Sequence, residues 1–266
     1  MLSADQRAEV AARLCAAERD RVPIPPLTES WPEIDVVDAY EIQLLNIRRR
    51  ARPVLGHKVG LSSLVMQQMM GVDEPDYGHL LDDMALDERQ TVPLKYCQPR
   101  VEVEVGFVLG ADLPGAGCTE DDVLRATSAL APAIELIDSR IADWKIGLAD
   151  TIADNASSAG FVLGAARVPP GVLDIRKIEA TLRRNGEVVA EGRSDAVLGN
   201  PVTAVAWLAR KVADFGVRLR AGNIVLPGSC TRAIDVRAGD RFQADFTGLG
   251  RVSLNFASTP FGEGVA

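Results

Sequence analysis

The sequence predicts an α+β fold built on an antiparallel or mixed sheet, and three observations lead there. Strand-like segments outnumber helical ones after residue 100, no regular β-α-β alternation appears, and the early part of the chain reads largely as helix. The 266 residues then divide into a helical cap region, 1–95, packed on a β-rich core, 96–266, a length that one compact unit can hold.

The elements follow in order. Ser3 with Gln6 is a capping box that opens a helix, and the cluster Pro23, Pro25 and Pro26 stops it, because proline cannot continue one. A second helix starts at Asp35: Val37, Tyr40, Leu44 and Ile47 recur at helical spacing, and Arg48, Arg49 and Arg50 suit the negative end of its dipole as a solvated terminus. VLGHKVGLSS is a short apolar run broken by Lys58, followed by a Met-rich helix from Ser63 to Met70 that Gly71 closes. The stripe Met66, Met69 and Met70 is expected to pack in the core. DEPDYGHLLDDM reads as a long loop, and loops of that length without a pattern of their own usually carry function.

RVEVEVGFVLG alternates as a strand, Thr119 and Asp122 cap a helix expected to reach Leu130, and PAIELIDSR and SAGFVLG are further strands. Asn185 and Gly186 mark a two-residue hairpin turn. Asn200 and Pro201 start a helix through Trp207 that Gly216 ends. GNIVLPGS, DRFQADF and RVSLNF are expected to form a closing meander, with turns at Ala238 and Gly239 and at Gly248 to Gly250.

Composition narrows the function. A net charge of -8, with 37 acidic against 29 basic residues and 5% aromatic side chains, disfavours a nucleic-acid platform, which needs a basic face and stacking rings. No stretch approaches the roughly 20 apolar residues of a membrane span, and the N-terminus lacks a secretory layout, so a cytoplasmic protein acting on small molecules is expected. Cys15, Cys97, Cys118 and Cys230 form no C-x-x-C pair and read as reduced thiols, and two histidines leave little room for a multi-histidine metal site.

The chemistry is carried by carboxylates. In VEVEV the two-residue period puts Glu102 and Glu104 on one face and Val101, Val103 and Val105 on the other, which read alone describes an edge strand with a wet face. Glu135 changes that reading, because it lies inside an apolar strand between Ile134 and Leu136 and needs a partner. Three carboxylates brought together repel one another, whereas a divalent cation among them holds all three ionised. An all-oxygen set selects Mg²⁺ or Mn²⁺ over zinc or copper, and one oxygen from each glutamate leaves about three octahedral positions, enough for a bidentate 2-keto acid and a water. Lys58 has two readings: a snorkelling surface residue, or a lysine whose proton affinity is tuned by acids, a cation and burial.

GHKVGLSS, QQMMGVDEPDYGHLLDDM, QPRVEVEVGFVL, PAIELIDSRIADWKIGLADTIADNASS and GNIVLPGS closely resemble, in order and over nearly the whole chain, the 2-hydroxypenta-2,4-dienoate (2-keto-4-pentenoate) hydratases of the fumarylacetoacetase-like superfamily. The resemblance implies a mixed β-sheet roll or barrel core with an N-terminal helical cap, a bound Mg²⁺ or Mn²⁺, and a homo-oligomer. It places the metal-binding glutamates on Glu102, Glu104 and Glu135, the acid/base candidates on Lys58 and Asp76, and substrate contacts on Ser157 and Asp83. The implied reaction adds water to 2-hydroxypenta-2,4-dienoate to give 4-hydroxy-2-oxopentanoate, in aromatic or steroid ring-cleavage catabolism. Its nearest rival is 4-oxalocrotonate decarboxylase, whose members tend to carry an N-F-K-F-type stretch where this chain has Ala142 to Ile146. A C–C bond hydrolase needs histidine and glutamate in H-x-x-E spacing, which neither His57 nor His79 supplies, so both read as structural residues or as supports behind the site's direct contacts. An inactive scaffold is the non-enzymatic alternative.

Overall fold

The structure is a computed structural model and describes residues 1–260, with the side chains of Met69, Met70 and Pro260 outside the description. The chain opens with helices α1 (Ala4–Asp20), α2 (Leu27–Ser30) and α3 (Val36–Arg50). Capping explains their starts: the Ser3 hydroxyl accepts from the Gln6 amide at 3.2 Å while the Gln6 side chain accepts from the Ser3 amide at 2.8 Å, and Asp35 caps α3 through the Asp38 amide. Basic residues crowd the last turn of α3, where Arg50 reaches Glu18 and Asp83, each at 2.8 Å.

Two sheets follow. The first contains β1 (Val54–Gly60), β2 (Asp76–Leu81), β4 (Arg100–Leu109), β5 (Thr127–Ile137), β6 (Ser158–Leu163) and β9 (Ile224–Leu226), in the order β2-β1-β9-β4-β5-β6, with β10 (Ile234–Asp235) also pairing with β4. The second has the order β3-β12-β11-β7-β8, from β3 (Thr91–Leu94), β7 (Glu179–Arg184), β8 (Glu187–Arg193), β11 (Arg241–Phe246) and β12 (Gly250–Pro260). Short helices α4 (Leu64–Met70), α5 (Glu120–Ala126) and α6 (Leu148–Ala153) and the longer α7 (Pro201–Ala213) complete an α+β fold with a curled mixed sheet. On β4 the residues facing away from the carboxylates, Val101, Val103, Val105 and Phe107, are fully buried, each contributing about 1.5–3 kcal/mol. No helix among the described residues is long and apolar enough to cross a membrane, and all four cysteines are free.

Several sequence expectations are corrected. The segment read as a loop, 73–84, contains β2, which pairs antiparallel with β1; all six of its residues are buried, so it shows no alternation to detect. The helix after Thr119 ends at Ala126 rather than Leu130, because β5 begins at Thr127 to pair with β4 along almost its whole length. β4 is not a wet edge, since β5 lies on one side and β9 and β10 on the other. GNIVLPGS does not join the closing hairpin of β11 and β12: β9 crosses to the first sheet and wedges between β1 and β4. Met66 is 44% exposed beside exposed Leu64 and Val65, so the expected core stripe fails where it is described, and the side chains of Met69 and Met70 lie outside the described residues. Residues 1–95 supply more than helices, for β1 and β2 belong to the first sheet and β3 to the second.

Candidate active site

The β4–β5 register sets Glu102 directly opposite Glu135, and the pleat brings Glu104 onto the same face two residues on. One carboxylate oxygen from each lies within 4.8 Å of the others. Glu104 and Glu135 are fully buried, and Glu102 is half-buried. Glu104 Oε2 accepts from the Gly228 amide at 2.7 Å, which leaves Oε1 without a hydrogen bond, and both oxygens of Glu135 lack one. Gly228 has φ +129°, and a Cβ there would lie 1.8 Å from Ser62 Oγ, so only glycine presents its amide in this way.

Lys58 and Asp76 arrive from β1 and β2, across β9 from the glutamate strands. On β1, Lys58 lies two residues before Gly60, whose register partner on β2 is Asp76, so both side chains share one face. The Lys58 ammonium donates to the Ala156 carbonyl at 2.9 Å and stands 3.4 Å from Glu135 Oε2. Asp76 Oδ2 accepts from the Thr151 hydroxyl at 3.0 Å, while Oδ1 has no hydrogen bond and packs against Gly60, where a Cβ would lie 2.0 Å away. At 3% and 0% exposure, Lys58 and Asp76 are not snorkelling surface groups.

Ser157 lies next to the carbonyl that holds Lys58. Asn155, Ala156 and Ser157 all have positive φ, a run of left-handed residues that costs backbone energy and persists only where surrounding contacts enforce it. Those contacts are visible: the Asn155 side chain bonds both the amide and the carbonyl of His79, and the Asp138 amide donates to the Ser157 carbonyl at 2.8 Å. The buried pair Arg140–Asp154 anchors the preceding residue. The Ser157 hydroxyl is buried without a partner. Asp83 is not brought to this group: it pairs with Arg50 at the surface. His57 and His79 occupy the opposite face, rings 4.8 Å apart beside Tyr77, and burial holds His57 well below its ordinary value and His79 down to about 4.

Sequence reasoning missed Thr151, the Ala156 carbonyl and the Gly228 amide. Gly228 lies in the quoted GNIVLPGS segment, where a glycine following an apolar run was the available signal.

Electrostatics fit a hard cation. Burial raises the carboxyls of Glu102 and Glu104, Glu104 well above its ordinary range with repulsion from Glu135 and Glu102 added, and pushes Glu135 from 4.5 up to about 7. Burial also opposes the charge on Lys58, but Glu135, Glu102, Asp76 and Glu104 together carry it above its ordinary value. The cluster thus concentrates negative charge and unpartnered buried carboxylate oxygens that a divalent cation would satisfy.

A pH dependence follows. A carboxyl with a raised folded pKa favours the folded state fully below its unfolded pKa, and that contribution is lost as pH rises through the folded one, here from about 4.5 to about 7 for Glu135. A bound cation favours the ionised form and removes that loss. Mg²⁺ at a concentration ~100 times its Kd at pH 8 is therefore expected to raise the melting temperature by roughly 5–10 °C at that pH, from about 2.7 kcal/mol of linkage, and the same concentration by less at pH 5, where protonated glutamates weaken binding. Calorimetric scans with Mg²⁺ and with chelator check this; equal gains at both pH values would count against it.

A curled mixed sheet carrying this carboxylate trio defines the class, and residues 73–256 match the family described as fumarylacetoacetate (FAA) hydrolase, C-terminal. The chain is 44% identical over 261 residues, 97% of each chain, to 2-keto-4-pentenoate hydratase of Paraburkholderia xenovorans (strain LB400). It is 41% identical to 2-oxo-hept-4-ene-1,7-dioate hydratase of Escherichia coli, over 93% of this chain and 96% of that one. Among solved structures, 4-oxalocrotonate decarboxylase from Pseudomonas putida G7, complexed with magnesium and adipate, superimposes with a TM-score of 0.92 at 35% identity, covering 96% of this chain and 99% of its own. The chain belongs to the 2-keto-4-pentenoate hydratase family of the fumarylacetoacetate hydrolase superfamily, and it is a hydro-lyase.

Proposed function

We propose that this enzyme hydrates 2-hydroxypenta-2,4-dienoate to 4-hydroxy-2-oxopentanoate in aromatic catabolism, with Glu102, Glu104 and Glu135 holding Mg²⁺ or Mn²⁺ and Lys58 and Asp76 moving protons. The observation that carries the site reading is the single sheet face that joins three buried or half-buried glutamates to a buried lysine and a buried aspartate. When bound, the cation supplies Lewis-acid polarisation of the substrate's 2-oxygen and so makes C4 electrophilic.

The chain's own groups do the rest. The reaction needs a proton delivered to C5 as the enol becomes a ketone, water placed at C4, and a proton delivered to C3. Lys58 Nζ, fixed by the Ala156 carbonyl, is a positioned proton donor, and Asp76 Oδ1 is an acceptor with no competing hydrogen bond. The Ser157 hydroxyl, buried and unpartnered, is available to the substrate carboxylate. Burial of the group excludes bulk water, so the water that adds must be one the site positions. Asp83 has no part in this arrangement.

The decarboxylase reading is favoured by one observation, the 0.92 TM-score to 4-oxalocrotonate decarboxylase, but at 35% identity it stands below the hydratase relatives at 41% and 44%. Offering 2-hydroxypenta-2,4-dienoate and 4-oxalocrotonate side by side tests the choice. Gain of one water by the first with no carbon dioxide from the second is expected; carbon dioxide release as the main reaction would overturn the hydratase reading. A homo-oligomer belongs to the same proposal, on the family resemblance. Sedimentation at micromolar concentration is expected to find a species larger than the 28.5 kDa chain, and a monomer alone would remove it.

A further inference from the structure

We propose that Thr151 is a positioning residue that fixes the plane of the Asp76 carboxyl, holding one oxygen and leaving the other free to take part in proton transfer. This rests on the acid/base reading of Asp76. Thr151 is buried on α6 and donates its hydroxyl to Asp76 Oδ2 at 3.0 Å, while Oδ1 of the same carboxyl is buried and makes no hydrogen bond. The terminal torsion of an aspartate is broad, so a carboxyl with no hydrogen bond on either oxygen samples a wide range of planes. The Thr151 hydroxyl holds Oδ2, and Gly60, lying against Oδ1 with no room for a Cβ, limits rotation on the other side, so the plane is fixed.

The hydroxyl is itself held. Gln43 Nε2 donates to the Ile152 carbonyl at 2.8 Å and to the Tyr77 carbonyl at 2.9 Å, tying the residue after Thr151 to the residue after Asp76. At the other end of α6, Asp150 accepts from the Gly147 amide at 2.8 Å and from the Leu27 amide at 2.6 Å. The same stretch continues into the Ala156 carbonyl that holds Lys58. One short segment therefore sets both proton-transfer candidates, Asp76 through the Thr151 side chain and Lys58 through a main-chain oxygen.

Thr151→Val keeps the shape and removes the hydroxyl; Thr151→Ser keeps the hydroxyl. The valine variant is expected to lose about 10–100-fold in turnover with little change in KM, in keeping with the cost of misplacing a reacting group, and the serine variant to recover most of it. In the Asp76→Asn background the valine change is expected to add little, because Thr151 acts through Asp76. The valine variant leaves Asp76 Oδ2 buried without a donor, so it is expected to melt a few degrees below the parent, while its Mg²⁺ affinity matches the parent's and serine restores both stability and rate.

A second readout separates this inference from the hydratase reading: exchange of the C3 protons of 2-oxopentanoate with D₂O, followed by NMR on the Mg²⁺-loaded protein, reports proton transfer without any hydration. If the parent exchanges those protons but does not hydrate the dienoate, the hydratase reading falls, and loss of exchange in the valine variant with rescue by serine still supports Thr151. Valine and parent exchanging at equal rates, full additivity with Asp76→Asn, or a parent that exchanges nothing would each overturn the positioning role.

Discussion

Glu135→Gln is expected to lower turnover by about 10²–10⁴-fold and to weaken Mg²⁺ binding measurably, without unfolding the protein. The magnitude follows from the several kcal/mol that a positioned Lewis acid supplies, at about 1.4 kcal/mol per tenfold in rate. Retention of the fold follows from the local electrostatics. Glu135 is fully buried, its carboxyl pushed up to about 7, and neither oxygen has a hydrogen bond, so a neutral amide of the same shape relieves a cost in the metal-free protein. The metal-free variant is accordingly expected to melt at or above the metal-free parent at pH 8, with the order reversed when both are saturated with Mg²⁺. Glu102→Gln and Glu104→Gln should behave alike in activity, although Glu104 also gives up a charge-assisted bond from the Gly228 amide. Titration calorimetry with Mg²⁺ or Mn²⁺ decides the ligand assignment: unchanged affinity in all three variants would sink it.

Lys58→Ala and Asp76→Asn are expected to lower turnover by about 10²–10⁴-fold each while KM moves little, because positioned proton transfer belongs to the transition state and the ground-state substrate is held elsewhere. Lys58 also neutralises part of the glutamate cluster from 3.4 Å, so its removal leaves Glu135 less compensated, and melting curves must accompany the kinetics. A folded Lys58→Ala protein with near-parental turnover would defeat the proton-transfer role even with the metal site intact. Asp76→Asn leaves a side chain that can still pack beside Gly60 and accept from Thr151, so a loss of rate there reports on ionisation and not on packing.

The parts of this architecture legible in the sequence are those with a local cause. Ser3 with Gln6 and Thr119 with Asp122 act over three residues, and the turn at Asn185 and Gly186 takes φ of +54° and +92°, as its residue types foretold. The alternation of VEVEV correctly put Glu102 and Glu104 on one face, but it could not show whether that face was wet, because exposure depends on which strands pair alongside. β2 escaped for the opposite reason: a strand buried throughout has no alternation, and its Gly78 and the preceding Pro75 resemble loop punctuation. The contacts that complete the site lie beyond any periodicity, since Thr151 reaches Asp76 across 75 residues, Ala156 reaches Lys58 across 98 and Gly228 reaches Glu104 across 124. The residues that the resemblance named, Lys58, Asp76, Ser157 and the three glutamates, lie on or beside one sheet face, whereas Asp83, also named, pairs with Arg50 at the surface.

Metal-dependent hydration is decided by following 2-hydroxypenta-2,4-dienoate with chelator-stripped protein, before and after Mg²⁺ is restored, reading both the loss of dienoate absorbance and the mass of the product. A slow background without the cation, restoration of turnover on adding it, and a product heavier than the substrate by one water are expected; turnover that is indifferent to the cation, or a product of any other mass, would overturn the metal-dependent hydratase reading.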